Sequence, residues 1–231
     1  MTRCQKLNVN GLAEWRETTV VELSEGKKGR RSRAEARQEI LDRAVDFLWD
    51  HSFREMTVAR LMDRTSIGRS AFYVYFRDTA HLAEALLGQV QTTLEQAISP
   101  WVAGVGEPVT AMCESLRGEV EASVRVGPIM RAVSEAAATD AHLERLWNDF
   151  LEAFDRAVEQ RLRAEQRAGR VGPLDAAATA RAMNRLDAAY LIDSFGRHPQ
   201  ADPDQVHKVL ATIWISTVYG REKLDEILYQ A

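Results

Sequence analysis

The residues of this chain best suited to bind an anion stand in the stretch TSIGRSAFYVYF, residues 65–76. Arg69 and Ser70 bring a guanidinium and a hydroxyl, and Tyr73 and Tyr75 add two phenolic hydroxyls. An arginine can donate two parallel hydrogen bonds to a phosphate or to a base edge, and hydroxyls can donate to either. On a helix Tyr73 faces the same way as Arg69, four residues earlier. We therefore expect a surface that contacts an anionic partner; the alternative for both tyrosines is a place at the edge of the core, with solvated hydroxyls.

Two short helices separated by a three- or four-residue turn are expected over residues 57–76. Thr57 suits the N-cap of the first helix, and the second begins near Gly68. Bulky apolar residues recur where these helices would pack on the helix before them: Val58, Leu61, Met62, Ile67, Phe72 and Phe76 against Ile40, Ala44 and Leu48. This arrangement predicts a helix-turn-helix, whose second helix enters the major groove of DNA. Arg69 and Ser70 then lie on its exposed first turn, where the helix N-terminus favours phosphate.

The rest of the sequence repeats apolar residues at helical spacing, and no segment shows the alternation typical of strands. Ser32 and Glu35 predict a capping box at the start of the first helix. Asp78 or Thr79 begins a longer helix, which Pro100 is expected to end. Further helices are predicted between glycines and prolines, over residues 108–125, 128–138, 140–169, 174–196 and 203–228. The predicted fold class is all-α, with about nine helices.

Charge is unevenly distributed along the chain, whose net charge is −4. Residues 27–79 contain 12 Lys and Arg against 8 Asp and Glu, a net +4, whereas residues 80–231 contain 15 against 22, a net −7. This distribution indicates that the basic section binds a polyanion and that the acidic remainder has a different function. The alternative is that the charge difference has no functional meaning. Residues 1–30 are expected to be a flexible leader, either a functional arm or simple disorder.

The composition also bounds the location and the class of the protein. No apolar run approaches the roughly 18 to 20 residues that span a bilayer, and the N-terminus lacks a signal-peptide core. Two isolated cysteines suit a reducing compartment, so a cytoplasmic location without membrane contact is expected. The five histidines never stand at metal-ligand spacing, and the carboxylates are expected on solvated helix faces. We therefore expect no catalytic residue, no metal and no cofactor.

Several segments of the chain resemble one family of proteins. The residues FYVYF at 72–76, with the turn before them and the long helix after them, resemble the TetR family of transcriptional repressors. Three further segments resemble the ethionamide-resistance (EthR-like) branch of this family: LWNDFLEAFDRAV (146–158), AMNRLDAAYLIDSFGRHP (182–199) and HKVLATIWISTVYG (207–220). The resemblance covers residues 33–220. It implies a helix-turn-helix DNA-binding domain over residues 31–80 and a ligand-binding and dimerisation domain over residues 81–231.

The resemblance also implies where DNA is contacted. The expected residues are Thr57, Gly68, Arg69, Ser70, Tyr73, Tyr75 and Thr79. The chain departs from the family in and beside the turn, where Met62 and Ser66 replace a small Ala and a Gly. Gly68 stands in place of a Ser or Thr cap, and Thr79 in place of a Lys that contacts phosphate. A left-handed conformation at Ser66 would cost about 1 kcal/mol.

For the C-terminal domain the resemblance implies a hydrophobic channel between helices. Its expected lining is Met112, Leu116, Val120, Met130, Trp147, Phe150, Phe154, Met183 and Trp214, with Asn184 and Asp187 as polar contacts. The branch has Asn where this chain has Asp187, which indicates a different polar preference. Without the resemblance, Met and aromatic residues at helical spacing indicate an ordinary core more often than a cavity. Helices 174–196 and 203–228 are implied as the homodimer interface, an intrachain core being the alternative.

These expectations describe a homodimeric repressor that leaves its operator DNA when a small hydrophobic effector binds in the C-terminal domain. Binding energy that differs between the two states by a few kcal/mol suffices for release. The alternative is a helical small-molecule- or lipid-binding protein without DNA function.

Overall fold

The computed structural model describes residues 32–223; residues 1–31, which include the predicted leader, and residues 224–231 lie outside this range. Within it the chain forms eight α-helices and two 3₁₀ turns, a further helical segment begins at residues 221–223, and no strand is present, which confirms the all-α class. None of these helices is long and apolar enough to cross a membrane. The helices are α1 Arg33–Asp50, α2 Val58–Met62, α3 Phe72–Tyr75, α4 Thr79–Val102, α5 Pro108–Ala137, α6 Ala141–Arg167, α7 Ala176–Phe195 and α8 Pro203–Val218, with 3₁₀ turns at Phe53–Glu55 and Arg69–Ala71.

Side-chain caps fix where the N-terminal helices begin. The Ser32 hydroxyl accepts a hydrogen bond from the N–H of Glu35 at 3.1 Å, and the Glu35 carboxylate accepts one from the N–H of Ser32 at 2.7 Å. This reciprocal pair confirms the predicted capping box. Asp78, one of the two predicted caps of α4, accepts a hydrogen bond from the N–H of His81 at 2.8 Å.

Buried apolar residues form two clusters. The first cluster joins α1, α2, α3 and the first part of α4 to the C-terminal half of α5 and the first half of α6. The second cluster joins the N-terminal half of α5 to the end of α6, to α7 and to α8. Leu61, Phe72 and Phe76 of the helix-turn-helix belong to the first cluster together with Ile40 and Leu48 of α1, which confirms the predicted packing.

The prediction that Pro100 ends the long helix is wrong, because α4 continues to Val102. A proline lacks the N–H that the carbonyl four residues earlier would accept. That carbonyl belongs to Gln96, and the hydroxyl of Ser99 donates to it at 2.9 Å. With this substitute donor the helix continues and carries Trp101 into the second cluster.

The predicted break at Gly127-Pro128 is also wrong, since α5 runs through both residues. Pro128 leaves the Val124 carbonyl without a helical donor. Gln200 Nε2 donates to this carbonyl at 2.9 Å and to the Phe195 carbonyl at 3.1 Å. Gly127 permits a close crossing of α7, because a Cβ there would lie 2.4 Å from the Phe195 carbonyl oxygen. The Gly-Pro pair therefore marks a helix crossing and not a helix end.

The helix predicted over residues 203–228 is interrupted. α8 ends at Val218, residues 221–223 are helical again, and the rest of the predicted helix lies outside the described residues. Gly220 follows with a φ of +95°, in the left-handed region that glycine adopts readily. The helices predicted over 140–169 and 174–196 agree with α6 and α7 to within two residues at each end.

A buried arginine connects three helices near the C-terminal end of α5. Arg131 Nε donates to the carbonyl of Gly196 at 2.9 Å, and its Nη2 donates to the carbonyls of Leu48 at 2.5 Å and His51 at 3.3 Å. Its Nη1 pairs with the Glu135 carboxylate at 3.0 Å. One guanidinium on α5 thus holds the ends of α1 and α7.

Gln200→Ala should destabilise the fold by about 1–2 kcal/mol, because the carbonyls of Val124 and Phe195 lose their side-chain donor. Urea unfolding followed by circular dichroism measures the change. Gln205→Ala, on the exposed side of α8, is the matched control and should leave the unfolding free energy unchanged. Equal losses in the two variants would contradict the role of Gln200.

Candidate nucleic-acid interface and ligand cavity

The helix-turn-helix is positioned by one cap and by two buried rings. The exposed Thr57 accepts a hydrogen bond from the N–H of Arg60 at 3.2 Å through its hydroxyl and so caps α2. Beyond the turn, the 3₁₀ turn Arg69–Ala71 leads directly into α3. Phe72 in α3 and Phe76 just after it are buried in the first cluster. Because these rings fix one side of the segment in the core, its other side faces outward.

The outward side carries the polar residues predicted to meet DNA. Arg69 and Ser70 are exposed, and Tyr73 is 60% exposed. The side chain of Arg69 forms no hydrogen bond or ion pair with another residue in 32–223, so its guanidinium can reach an external acceptor. Tyr75 is half-buried against the first cluster, at the edge of the core. Sequence reasoning missed Val74, 63% exposed beside Tyr73, because an apolar residue among aromatics predicts a core position.

The positions that depart from the family have ordinary local explanations. Gly68 has a φ of −67° and open space where a Cβ would lie, so nothing inside the chain demands glycine there. Thr79 is half-buried in the first turn of α4. The N–H and hydroxyl of Ser66 donate to the two carboxylate oxygens of Glu39 on α1, at 2.6 and 3.0 Å. A glycine could donate only through its backbone, so the serine adds a second bond between turn and α1.

A cavity lies among α4, α5, α6, α7 and α8, with about 630 Å³ of space between atoms, part of it open to solvent. Eight of the residues predicted to form a ligand site line it: Met112, Leu116, Met130, Phe150, Phe154, Asn184, Asp187 and Trp214. Wall residues that the sequence did not single out are Leu94, Ile98, Trp101, Ser115, Glu119, Leu151, Val158, Ala188 and Leu191. The structure therefore brings together residues from five helices around one largely apolar space.

Three residues predicted for this site do not line the cavity. Val120 and Met183 are buried in the second cluster. Trp147 stacks on the ring of Phe150 with 5.3 Å between centroids, and it packs against the first cluster. One step along a helix rotates the side chain by about 100°, so Val120 lies behind the wall that Glu119 helps to form.

The missed wall residues continue helical stripes. On α5, Ser115 and Glu119 follow Met112 and Leu116 by three residues, which places them on the same face. The expectation that the carboxylates lie on solvated faces is wrong for Glu119. On α4 the stripe consists of Leu94, Ile98 and Trp101, and its last member is recognisable only if the helix continues through Pro100.

Two carboxyl groups face the cavity. Asp187, only 4% exposed, accepts the Nε1–H of Trp214 with its two oxygens, at 2.8 and 3.0 Å. Burial raises the pKa of Asp187 well above its usual value, the charge of Glu119 raises it further, and the hydrogen bond from Trp214 offsets part of the rise. Burial also raises the pKa of Glu119, to about 7. A proton is therefore held on this pair more tightly than on ordinary carboxylates.

The other predicted polar contact, Asn184, is partly engaged within the chain. Its Nδ2 donates to Asp155 at 2.9 Å, and Arg185 pairs with the same carboxylate at 3.0 Å. Among residues 32–223, no three His, Cys, Asp or Glu side chains lie close enough together to hold a metal ion. The cavity is thus suited to an organic ligand that is largely apolar.

Two family models match the chain. Residues 40–86 match that of the bacterial regulatory proteins of the tetR family, and residues 112–220 match that of the C-terminal domain of the transcriptional regulator EthR. The chain belongs to the TetR family. It is a DNA-binding transcriptional regulator with an N-terminal helix-turn-helix and a C-terminal helical domain. Regulators of this family bind operator DNA and small-molecule effectors, usually as dimers.

Individual relatives agree with this assignment. The HTH-type transcriptional repressor AcnR of Corynebacterium efficiens is 28% identical over 138 residues, which are 59% of this chain and 69% of AcnR. A TetR-family regulator from Syntrophomonas wolfei has a TM-score of 0.70 at 13% identity, over 86% of this chain and all of that one. The complex of SmeT with triclosan has a TM-score of 0.69 at 16% identity, over 82% of this chain and 94% of the SmeT chain. The two structures establish the shared fold.

Glu119→Gln should stabilise this regulator by about 3 kcal/mol at pH 8 and by almost nothing at pH 4.5. The folded-state pKa of Glu119, about 7, lies above the ordinary value of 4.5. Stability is therefore lost as the pH rises from 4.5 through 7, and the amide removes that loss. Urea unfolding at both pH values measures it, with Glu121→Gln on the exposed side of α5 as control. A gain that is the same at both pH values would contradict the raised pKa.

Proposed function

We propose that this TetR-family regulator is a repressor that binds operator DNA as a homodimer and is released when a small apolar effector enters the cavity. The position of Arg131 carries the proposal. Its neighbour Met130 lines the cavity, while Arg131 bonds to the end of α1, on which the helix-turn-helix packs. A ligand that displaces α5 therefore acts on the DNA-binding helices through one hydrogen-bonded side chain.

The proposed DNA surface is centred on the exposed side of residues 69–74. Arg69 donates to a guanine edge or a phosphate, and Ser70 and Tyr73 donate to phosphate oxygens. The exposed methyl groups of Val74 suit an apolar contact with a thymine methyl. Contacts that position the motif on the DNA backbone come from Thr57, Gly68, Tyr75 and Thr79. The half-buried Tyr75 and Thr79 contribute through their hydroxyls alone.

The proposed dimer interface uses the outward sides of α7 and α8. On α8, Val206, Leu210, Trp214 and Val218 are buried within the chain. Part of the apolar face predicted from the sequence is thus buried within the chain, and part of it is on the outer side, where Val209 is 40% exposed. On α7, Leu186 is 36% exposed, with the exposed Ala182 and Ala189 one turn away on the same stripe. A C2 dimer would bury both stripes against their copies.

The proposed release mechanism needs two states of the dimer. An effector that fits the cavity better in one arrangement of α5 favours that arrangement by its difference in binding free energy. Through Arg131 and the first cluster, α1 and the helix-turn-helix follow, so the two recognition segments no longer match successive major grooves. The proposed boundary near residue 80 separates a DNA-binding part from a ligand-binding part by function. It does not separate two cores, because α4 contributes to both clusters.

The TetR-family match over residues 40–86 favours this function over that of a helical small-molecule-binding protein without DNA function. A small-molecule carrier has no need for an exposed arginine and tyrosine held outward by two buried phenylalanines. DNA binding is thus the property that separates the two functions.

Arg69→Ala should weaken binding to DNA from upstream of the regulator's own gene by about 1–3 kcal/mol, roughly five- to 150-fold. Fluorescence anisotropy at one fixed, moderate salt concentration measures it. Arg156→Ala, an exposed arginine on α6, is the matched control. Neither variant should alter thermal stability. If the wild-type protein binds no upstream fragment, or if both variants bind alike, the proposal fails.

Leu186→Glu should convert the dimer to a monomer, raising the dimer dissociation constant at least about hundredfold, because two carboxylates would be buried without partners. Light scattering after gel filtration measures the mass. Val105→Glu places the same charge on an exposed apolar residue in the α4–α5 loop and should leave the dimer intact. A dimeric Leu186→Glu variant would refute this interface.

A further inference from the structure

The cavity contains two carboxyl groups in otherwise uncharged surroundings. Glu119 comes from α5 and Asp187 from α7, and the other lining residues, from α4, α5, α6, α7 and α8, carry no charge. The side chain of Glu119 forms no hydrogen bond or ion pair with another residue in 32–223. Asp187 receives a single N–H, that of Trp214, although its two oxygens offer about four acceptor positions. Both groups therefore keep acceptor capacity that the folded chain does not use.

The chain treats its other deeply buried carboxylate differently. Glu165, at the C-terminal end of α6, is fully buried, and Arg161 and Arg170 pair with it at 2.5 and 2.7 Å. Among residues 32–223, no such cation lines the cavity beside this pair. Three arginines of the same two helices are engaged elsewhere, Arg117 with Asp204, Arg131 with backbone carbonyls and Arg185 with Asp155, and the other two, Arg125 and Arg181, are exposed. Asp187 is buried and Glu119 is half-buried, and two such acids without a cation cost folding free energy, so their presence in a cavity is typical of a functional site.

We propose that the effector of this cavity is an apolar molecule with a protonated amine, whose ammonium lies between Glu119 and Asp187. The inference rests on the proposed function, since it names the chemistry of the ligand for the same cavity. Four aromatic rings are available to the apolar part of the ligand: Trp101, Phe150, Phe154 and Trp214. Ring faces attract cations, and the Nε1–H of Trp214 is already occupied by Asp187, so this ring presents its face or edge to the ligand.

The raised pKa values explain how the empty cavity tolerates the pair. Near neutral pH the unliganded pair retains a proton, which lowers its negative charge. When the ammonium binds, this proton leaves for solvent and the ligand cation takes over the charge balance. The affinity for an amine should therefore rise as the pH increases from 5 to 8, while the amine stays protonated. A neutral ligand has no such dependence.

Three matched probes test the proposal on the full-length wild-type protein. They are 4-phenylbutylamine, 4-phenylbutan-1-ol and 4-phenylbutanoate, which share one apolar part and differ in charge. Isothermal titration calorimetry at pH 7.5 measures their affinities. We expect the amine to bind at least tenfold more tightly than the alcohol, and the carboxylate to bind most weakly. Binding of the alcohol or the carboxylate as tightly as the amine would overturn the proposal, as would no detectable binding of the amine at millimolar concentration.

Two isosteric variants locate the binding of the amine. Glu119→Gln and Asp187→Asn should each reduce amine affinity tenfold or more and leave alcohol affinity within twofold. Asn at 187 retains an oxygen that can accept the Trp214 N–H, and circular dichroism checks that both variants fold. Glu121→Gln, two residues along α5 and exposed, is the control and should match the wild type. An amine preference that survives in both variants would overturn the proposal, because the cation would then bind elsewhere.

The test separates this inference from the proposed function. Probe affinities are measured without DNA, and DNA binding is measured without probes. If the protein binds DNA but prefers the alcohol, the inference of an amine effector is wrong and the repressor proposal stands. If the protein prefers the amine through Glu119 and Asp187 but binds no upstream DNA, the inference of an amine effector is supported and the repressor proposal is wrong.

Discussion

The guanidinium of Arg131 is the contact on which the relation between the two ends of this regulator depends. Helices end with carbonyl groups that lack helical donors, and these ends favour a positive charge. Arg131 satisfies such carbonyls at the ends of α1 and α7 at once, while its own helix passes between them. Lysine has one charged nitrogen and no planar fork, so it could not donate hydrogen bonds to both helix ends and to Glu135 in the same way. One side chain therefore makes the polar contact that, beside the packing of the first cluster, orients α1 relative to the C-terminal helices.

The distribution of the core supports the same conclusion. The first cluster extends from Ile40 in α1 to Ala188 in α7, so the helix-turn-helix shares its core with the helices that form the cavity. Leu94, Met130, Phe150 and Leu151 belong both to this cluster and to the cavity wall. Close-packed cores change between discrete arrangements more readily than they deform continuously. A ligand that moves these wall residues therefore acts on the packing beneath the recognition segment.

Much of this arrangement follows from local patterns in the sequence, and the parts that do not have physical reasons. The capping box at Ser32, the cap at Asp78 and the buried Phe72 and Phe76 are short-range features, so they were predictable. The continuation of α5 through Pro128 was not, because its missing donor is replaced by a residue 72 positions later in the chain. Such compensation is invisible to any local rule.

The cavity was predictable only in part, for a similar reason. Its methionine and aromatic residues were identified through a family resemblance, since a core and a cavity have the same helical pattern. In the wall contributed by α4, Trp101 was missed because Pro100 predicts a helix end, and Leu94 and Ile98 were missed because their spacing fits a core equally well. A carboxylate such as Glu119 on an amphipathic helix predicts a solvated position, and only the neighbouring helices decide that it faces a cavity.

The places where α5 and α7 meet suggest how a charge in the cavity would act at a distance. The two helices approach each other closely where Gly127 faces the Phe195 carbonyl. Glu119 lies about 12 Å along α5 on one side of this crossing, and Arg131 lies about 6 Å along it on the other. The crossing tolerates no added atom, so it is a natural pivot. An ammonium between Glu119 and Asp187 would replace repulsion by attraction on one side of the pivot, and α5 can respond only by altering the other side, where Arg131 holds α1.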